Sequence, residues 1–272
     1  MSHSFISAIV IIIGYLFGSI CSAVIVSRAF HLPDPRSEGS KNPGATNVLR
    51  LSGKKYASMV MAADVLKGTI PVLFAKLMPV SELVITYTCL AAVLGHMFPI
   101  FFGFRGGKGV ATAIGGLLGL QFILGVMVIA VWIIVANFTR YASLASILSM
   151  TAMPLLALWT TENVALFMPL FFITMFIYYK HRDNITRLMD GEESKLSIGK
   201  IFPSKLAEQP IATADIKTSV KTSKQATRKT SKKASASPVK QSKSKDASPK
   251  TTKTTKATKA TKVTKVTKDD KK

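Results

Sequence analysis

The chain of 272 residues has only two cysteines and four histidines, and acidic residues are scarce: 14 Asp and Glu stand against 36 Lys and Arg. Cys21 and Cys89 both lie in apolar runs, so neither a disulfide framework nor a cysteine metal cluster is available. No basic segment precedes the first apolar run and no clear small-residue cleavage site follows it. That run is therefore expected to remain as a span rather than to be removed as a signal. No internal repeat is evident.

Charge is sparse over most of the chain, and its distribution divides the molecule. Residues 1–200 hold 16 Lys and Arg and 9 Asp and Glu, net +7, with nearly all the apolar content. Residues 201–272 hold 20 basic and 5 acidic groups, net +15, with few large apolar side chains. A mean hydropathy of +0.32 and a net charge of +22 conflict within one globular domain, and this split resolves them. Residues 1–200 read as a polytopic membrane domain and 201–272 as a disordered Lys/Thr/Ser-rich tail. In the tail Lys253, Lys256, Lys259, Lys262, Lys265 and Lys268 recur every three residues. An anionic lipid surface is its expected partner, at about 1 kcal/mol per Lys near the surface. The Ser-Pro steps at 237–238 and 248–249 resemble those of chromatin tails, but a specific nucleic-acid partner is not expected.

Apolar runs cover Phe5 to Phe30, Tyr56 to Met78, Leu83 to Phe102, residues 110–138, 141–159 and about 164–179. A bilayer needs roughly 20 residues per helix. Arg28, Arg36, Lys41, Arg50, Lys54 and Lys55 place the first connecting segment, His31 to Lys55, in the cytoplasm. Residues 110–138 decide the rest. Read as one span they leave the basic cluster at Lys180 outside; read as a hairpin folded near Gln121 to Gly125 they bring it inside. The hairpin is preferred. The expected fold is an all-α integral membrane bundle of about seven transmembrane helices, N-terminus out and C-terminus in.

Phe102 to Gly116 organises the chain. Gly106, Gly107 and Gly109 surround Lys108, and small residues open a helix at Val110. Glycines able to take φ > 0 let several N–H groups converge on one anion, beside a helix N-terminus that favours negative charge. It is not a Walker A loop, because Gly109 rather than Ser or Thr follows Lys108. The alternative is a plain topological turn.

Three polar segments meet this loop on one face. Asp34 to Arg50 is dense in hydroxyl and amide side chains, with Arg36 and Arg50 near its ends. Asp64 and Lys67, spaced i, i+3 inside a span, are either a self-neutralising pair or a ligand site. Lys180 to Leu188 follows the last span and sets His181, Asn184 and Arg187 on one helix face if that helix continues. His96 reads as a histidine packed at a span end.

Together these segments resemble the acyl-phosphate:glycerol-3-phosphate acyltransferases, the PlsY family of bacterial inner-membrane enzymes. The residues that carry the resemblance are Gly39 to Asn47, Gly95-His96 with Pro99, Gly106 to Thr112, Ser143 with Ser146, and His181 with Asn184 and Arg187. It spans about residues 8–195. It implies transfer of an acyl group from acyl phosphate to the 1-hydroxyl of sn-glycerol 3-phosphate, giving lysophosphatidic acid and phosphate. This is the first acylation of bacterial phospholipid synthesis, with the site on the cytoplasmic face and with no cofactor and no metal. It points to Ser40, Arg50, His181 and Asn184 as catalytic. Asn42, Thr46, Asn47, Lys67, Gly106, Gly107, Lys108, Gly109, Ser146 and Arg187 are the expected substrate-binding residues. The enzyme that supplies acyl phosphate is a candidate partner. Lys41 stands where the family usually has Gly. The rival readings are a transporter or channel for a phosphorylated small molecule, and an acyltransferase with His and Asp separated by four residues. The latter fails, since none of His3, His31, His96 or His181 has Asp five positions on.

Overall fold

The computed structural model describes residues 3–196; the tail 201–272 lies outside the described residues. Among the described residues the chain is all helical, with no strand. The helices are α1 (His3–Gly18), α2 (Ser22–Ala29), α3 (Ala45–Ser52), α4 (Lys54–Lys76), α5 (Glu82–Met97), α6 (Val110–Leu120), α7 (Phe122–Thr139), α8 (Ala142–Thr161) and α9 (Phe167–Met189). Short 3-10 turns lie at Ile100–Phe102 and Val164–Leu166.

Five helical stretches are long and apolar enough to cross a membrane: Lys54–Lys76, Glu82–Phe102, Phe122–Thr139, Ala142–Thr161 and Val164–Met189. The bent pair α1 and α2 makes a sixth if taken as one span. Large apolar side chains on these helices face outward, among them Phe122, Ile133, Phe138, Leu155 and Trp159. A lipid-facing surface accounts for them, since a soluble domain rarely exposes so much contiguous apolar area.

The structure departs from the sequence expectation at three places. The first span is broken: α1 and α2 meet at 41° across residues 19–21. The break is bridged from α4, where Lys67 Nζ donates to the Ile20 carbonyl at 2.9 Å and satisfies backbone that the break releases. The segment His31 to Lys55 is not all loop, because Ala45–Ser52 forms α3; its Val48 packs with Ala23, Ala57 and Val60. The apolar run 110–138 folds back at Gln121 as expected, but its halves are unequal. α6 has 11 residues, roughly 17 Å, and α7 has 18. The Gln121 amide fixes the turn: Nε2 donates to Thr160 O at 2.9 Å, and Thr160 Oγ1 donates to Gln121 Oε1 at 2.8 Å.

Helix α6 is short and lies in close backbone contact with α4. A Cβ on Gly115 would meet the Val65 carbonyl, and one on Gly68 would meet the Thr112 carbonyl, so these backbones touch only where side chains are absent. Thr69 Oγ1 crosses the contact to Gly115 O at 2.8 Å. Below this crossing the buried side chains of Met97, Leu117, Leu124, Met150, Leu170 and Ile173 fill the core between α5, α6, α7, α8 and α9.

Candidate active site

At one end of the bundle a cavity of about 1080 Å³ is lined by residues from three polar segments, 39–50, 106–114 and 180–194, and from the helices around them. The helices reach it alternately. α4 contributes its first half, α5 its end, α6 its start, α7 its second half, α8 its start and α9 its end. Successive helices therefore run in opposite directions through the bundle.

The first wall is a turn built by one side chain. Asn47 is buried at the start of α3; its Oδ1 accepts from Ser40 N at 2.9 Å, and its Nδ2 donates to Pro35 O and Glu38 O, each at 3.0 Å. A Cβ on Gly39 would collide with this amide. Ser40, Asn42, Thr46 and Arg50 then face the cavity. Lys41 has φ +56, the left-handed region in which a side chain is strained and a glycine is not.

The second wall is the Gly-rich turn, and its glycines divide by role. Gly109 takes φ +87 and caps α6. Gly107 does not adopt a left-handed conformation, and its N–H donates to His96 O at 3.1 Å. The Gly107 N–H is therefore not among the groups free to converge on an anion. Gly106, Lys108 and Gly109 line the cavity, whereas Gly107 packs beneath it.

The third wall is α9, which does continue past the apolar run to Met189. His181 and Asn184 are both buried on its cavity face. His181 Nδ1 lies 2.8 Å from Ile177 O. A carbonyl only accepts, so Nδ1 carries the hydrogen and Nε2 keeps its lone pair in the neutral ring. Lys108 Nζ donates to Asn184 Oδ1. Asn184 Nδ2 donates to Glu193 Oε1 at 2.6 Å, and Arg187 Nε donates to Glu193 Oε2 at 2.8 Å.

Electrostatics follow from this packing. Burial pushes the Lys108 pKa down to about 8, against the pull of Glu193. Burial acts to raise the Glu193 pKa, but the bonds from Asn184 and Arg187 overturn it and hold the carboxyl below its ordinary range. Ser143, also on the cavity wall beside Glu193, has a buried hydroxyl that meets no partner among the described residues with full hydrogen-bond geometry. Ser146 lines the cavity too, with its Oγ bonded to Ala142 O at 2.8 Å and to Trp132 Nε1 at 3.0 Å.

Lys67 does not line the cavity. Its ammonium is spent inside the bundle, 2.8 Å from Asp64 Oδ1 and on the Ile20 carbonyl. Asp64 and His96 do line the cavity. His96 Nδ1 lies 3.1 Å from Thr112 Oγ1 and 3.6 Å from Asp64 Oδ1. The signal for Asp64 was its i, i+3 spacing with Lys67 inside a span, and that for His96 the Gly95-His96 pair of the resemblance. Glu193 lines the cavity as well.

Comparisons with known proteins show the family. The family described as glycerol-3-phosphate acyltransferase matches residues 8–191. A glycerol-3-phosphate acyltransferase of Legionella pneumophila strain Corby is 56% identical over 204 residues, 75% of this chain and 74% of its own length. One from Pseudoalteromonas translucida is 48% identical over 195 residues, 72% of this chain and 95% of its own. Among solved structures, the glycerol 3-phosphate form of PlsY, an integral membrane glycerol 3-phosphate acyltransferase, is 39% identical with a TM-score of 0.68. The alignment covers 72% of this chain and 98% of that one. Its lysophosphatidic acid form gives a TM-score of 0.65 over 70% of this chain and 94% of that one. With its helical membrane fold and its three-walled cavity, the chain belongs to the glycerol-3-phosphate acyltransferase family of PlsY type, multi-pass membrane enzymes of lipid synthesis.

Proposed function

We propose that the protein transfers the acyl group of an acyl phosphate to the 1-hydroxyl of sn-glycerol 3-phosphate, releasing lysophosphatidic acid and phosphate. One observation carries the reading. A single cavity holds Arg50, Lys108 and Arg187 at its polar walls and Met61, Val65, Ile114, Ile129 and Ile133 at its apolar side. Cations and N–H donors suit two phosphorylated reactants, and the apolar side suits an acyl chain entering between helices. Glycerol 3-phosphate and lysophosphatidic acid, the molecules of the two related PlsY forms, fit as substrate and product.

In the proposed reaction the glycerol oxygen attacks the acyl carbonyl carbon, forming an ester. The bond from that carbon to the phosphate oxygen breaks, and phosphate leaves with the electron pair. The hydroxyl proton passes to His181 Nε2 or, as the alternative base, to the substrate's own phosphate. Ser40 and Arg50 are assigned to the acyl phosphate, with Asn42, Thr46 and Asn47 shaping their turn. Lys108, Asn184 and Arg187 are assigned to the glycerol phosphate, with Gly106 and Gly109 letting it approach and Ser146 on the facing wall. An already activated donor leaves the protein mainly positioning and charge stabilisation to supply. The site is placed on the cytoplasmic face of a bacterial inner membrane. The N-terminus is outside, the short α6 counts as the seventh pass, and residues 201–272 form a basic cytoplasmic tail on anionic lipid.

Purified protein given labelled glycerol 3-phosphate should form lysophosphatidate in detergent, without any gradient, from acyl phosphate and not from acyl-CoA. Equal rates from acyl-CoA would remove the donor assignment. In the same assay His181→Ala should lower kcat by about a hundredfold or more with little change in KM, as expected for a proton acceptor. An unchanged kcat assigns the proton to the substrate phosphate.

The depressed Lys108 pKa sets a pH dependence. The ammonium is charged below about 8 and loses its proton above it. The value of kcat/KM for glycerol 3-phosphate, which reports the free enzyme, should therefore fall as pH rises through about 8. In Lys108→Arg the fall should disappear, because Arg stays charged. A profile unchanged by that substitution would show that another group titrates.

For topology, both native cysteines are buried. A cysteine placed at Ser248 should escape an impermeant thiol reagent in intact cells and react after permeabilisation. Labelling in intact cells would reverse the orientation.

A further inference from the structure

The Gly-rich turn rests on one residue of α5. The Gly107 N–H donates to the His96 carbonyl at 3.1 Å. A Cβ on Gly107 would land on His96 Nε2, with ring atoms Cε1 and Cδ2 at 3.0 and 3.2 Å. A Cβ on Gly106 would land on the His96 carbonyl. The tip of the imidazole therefore fills the space that a side chain at 107 would need, and the backbone of the same residue closes the space at 106.

The ring has no easy way to yield. It is 6% exposed, and its Nδ1 faces Thr112 on the first turn of α6 and Asp64 on α4. Asp64 is fixed in turn by Lys67, whose ammonium also holds the Ile20 carbonyl. Side chains from α4 and α6 thus clamp His96 at the end of α5, directly beneath the residues that precede Lys108. His96 and Asp64 both reach the cavity wall beside Gly106 and Lys108.

We propose that His96 is a positioning residue. It seats the Gly106-Gly107 turn so that Lys108 reaches Asn184 and the cavity, while Asp64 and Thr112 hold its ring in register. This rests on the reading of Lys108 as a phosphate-binding group. Glycine is needed at 107 because of His96, not because of a left-handed φ or a phosphate at that atom. Positions 96 and 107 are then energetically coupled, as residues in contact are and distant ones are not.

The test is steady-state kinetics on the purified full-length protein, varying glycerol 3-phosphate and acyl phosphate in turn, for Gly107→Ala, His96→Ala and the double variant. Each single change should raise the KM for glycerol 3-phosphate by about tenfold and leave that for acyl phosphate within about twofold. The double variant should be no worse than the poorer single one, because the room left by the ring accepts the added methyl. A KM raised by the product of the two single effects, about a hundredfold, would overturn the proposal. So would an equal loss toward both substrates. If Gly107→Ala yields too little folded protein, the double variant should restore the yield, and no restoration counts against the proposal. If the wild type transfers nothing from acyl phosphate, the reaction assignment fails by itself. The coupling is then read from thermal midpoints, where Gly107→Ala should melt below the double variant; additive losses would overturn it.

Discussion

The ion pair of Asp64 and Lys67 inside α4 is the interaction on which the rest of the site depends. Their side chains are 3% and 5% exposed. Two charges so placed in an apolar bundle are costly unless each finds partners, at several kcal/mol per ion. The pair is only partly self-sufficient: Asp64 Oδ1 is 2.8 Å from Lys67 Nζ, yet no donor among the described residues meets it with hydrogen-bond geometry. The remaining demand is spread outward. Lys67 takes the Ile20 carbonyl and so joins the break between α1 and α2 to α4. Asp64 takes the side facing His96, and through it α5 and the first turn of α6. Five helices are referenced to one charged pair, and three of them end or begin at the cavity.

Close backbone contact does the remaining alignment. In lipid, helices gain little by burying apolar surface against one another, so small residues that let backbones meet set the geometry. Gly68 and Gly115 do this between α4 and α6, and Gly18 does it against Ala92 between α1 and α5. Since α6 begins at Gly109, fixing α6 on α4 also fixes one end of the turn that carries Lys108. The other end is fixed by His96. A loop held at both ends by rigid elements needs few bonds of its own, which is why its residues can be nearly all glycine.

Much of this was legible in the sequence, and the illegible part has a common cause. Hydropathy indicated a helical membrane protein, and the distribution of Lys and Arg, by favouring a hairpin over one span in residues 110–138, marked the reversal now seen at Gln121. The helical spacing of His181, Asn184 and Arg187 marked a polar face on α9, and the structure does bring Lys108 to Asn184. What the sequence could not show is where a side chain is spent. Lys67 looked available to a ligand but is consumed by Asp64 and Ile20; Gly107 looked like an anion donor but gives its N–H to His96. His96 looked like ordinary packing, because nothing local reveals that the tip of its ring lies against a residue eleven positions on. Lys41 is the opposite case. The resemblance flagged it as a place for glycine, and its φ of +56 gives the physical reason.

The charge balance of the cavity bears on how it can take an anion. Arg50, Lys108 and Arg187 cannot all be left without counter-charge in a partly buried space. Two responses are visible. Lys108 gives up proton affinity, with burial moving it to about 8. Arg187 holds Glu193, whose carboxylate also accepts from Asn184. Under the proposed function, a phosphate beside Lys108 would favour its charged form and accept from the same donors that Glu193 occupies. Under the proposed function the acyl chain gains nothing from these groups and is left to the apolar residues Ile114, Ile129 and Ile133 of the same cavity. Desolvation would thus sort the proposed polar and apolar reactants to different walls of one cavity, before any specific contact to the reacting carbonyl is made.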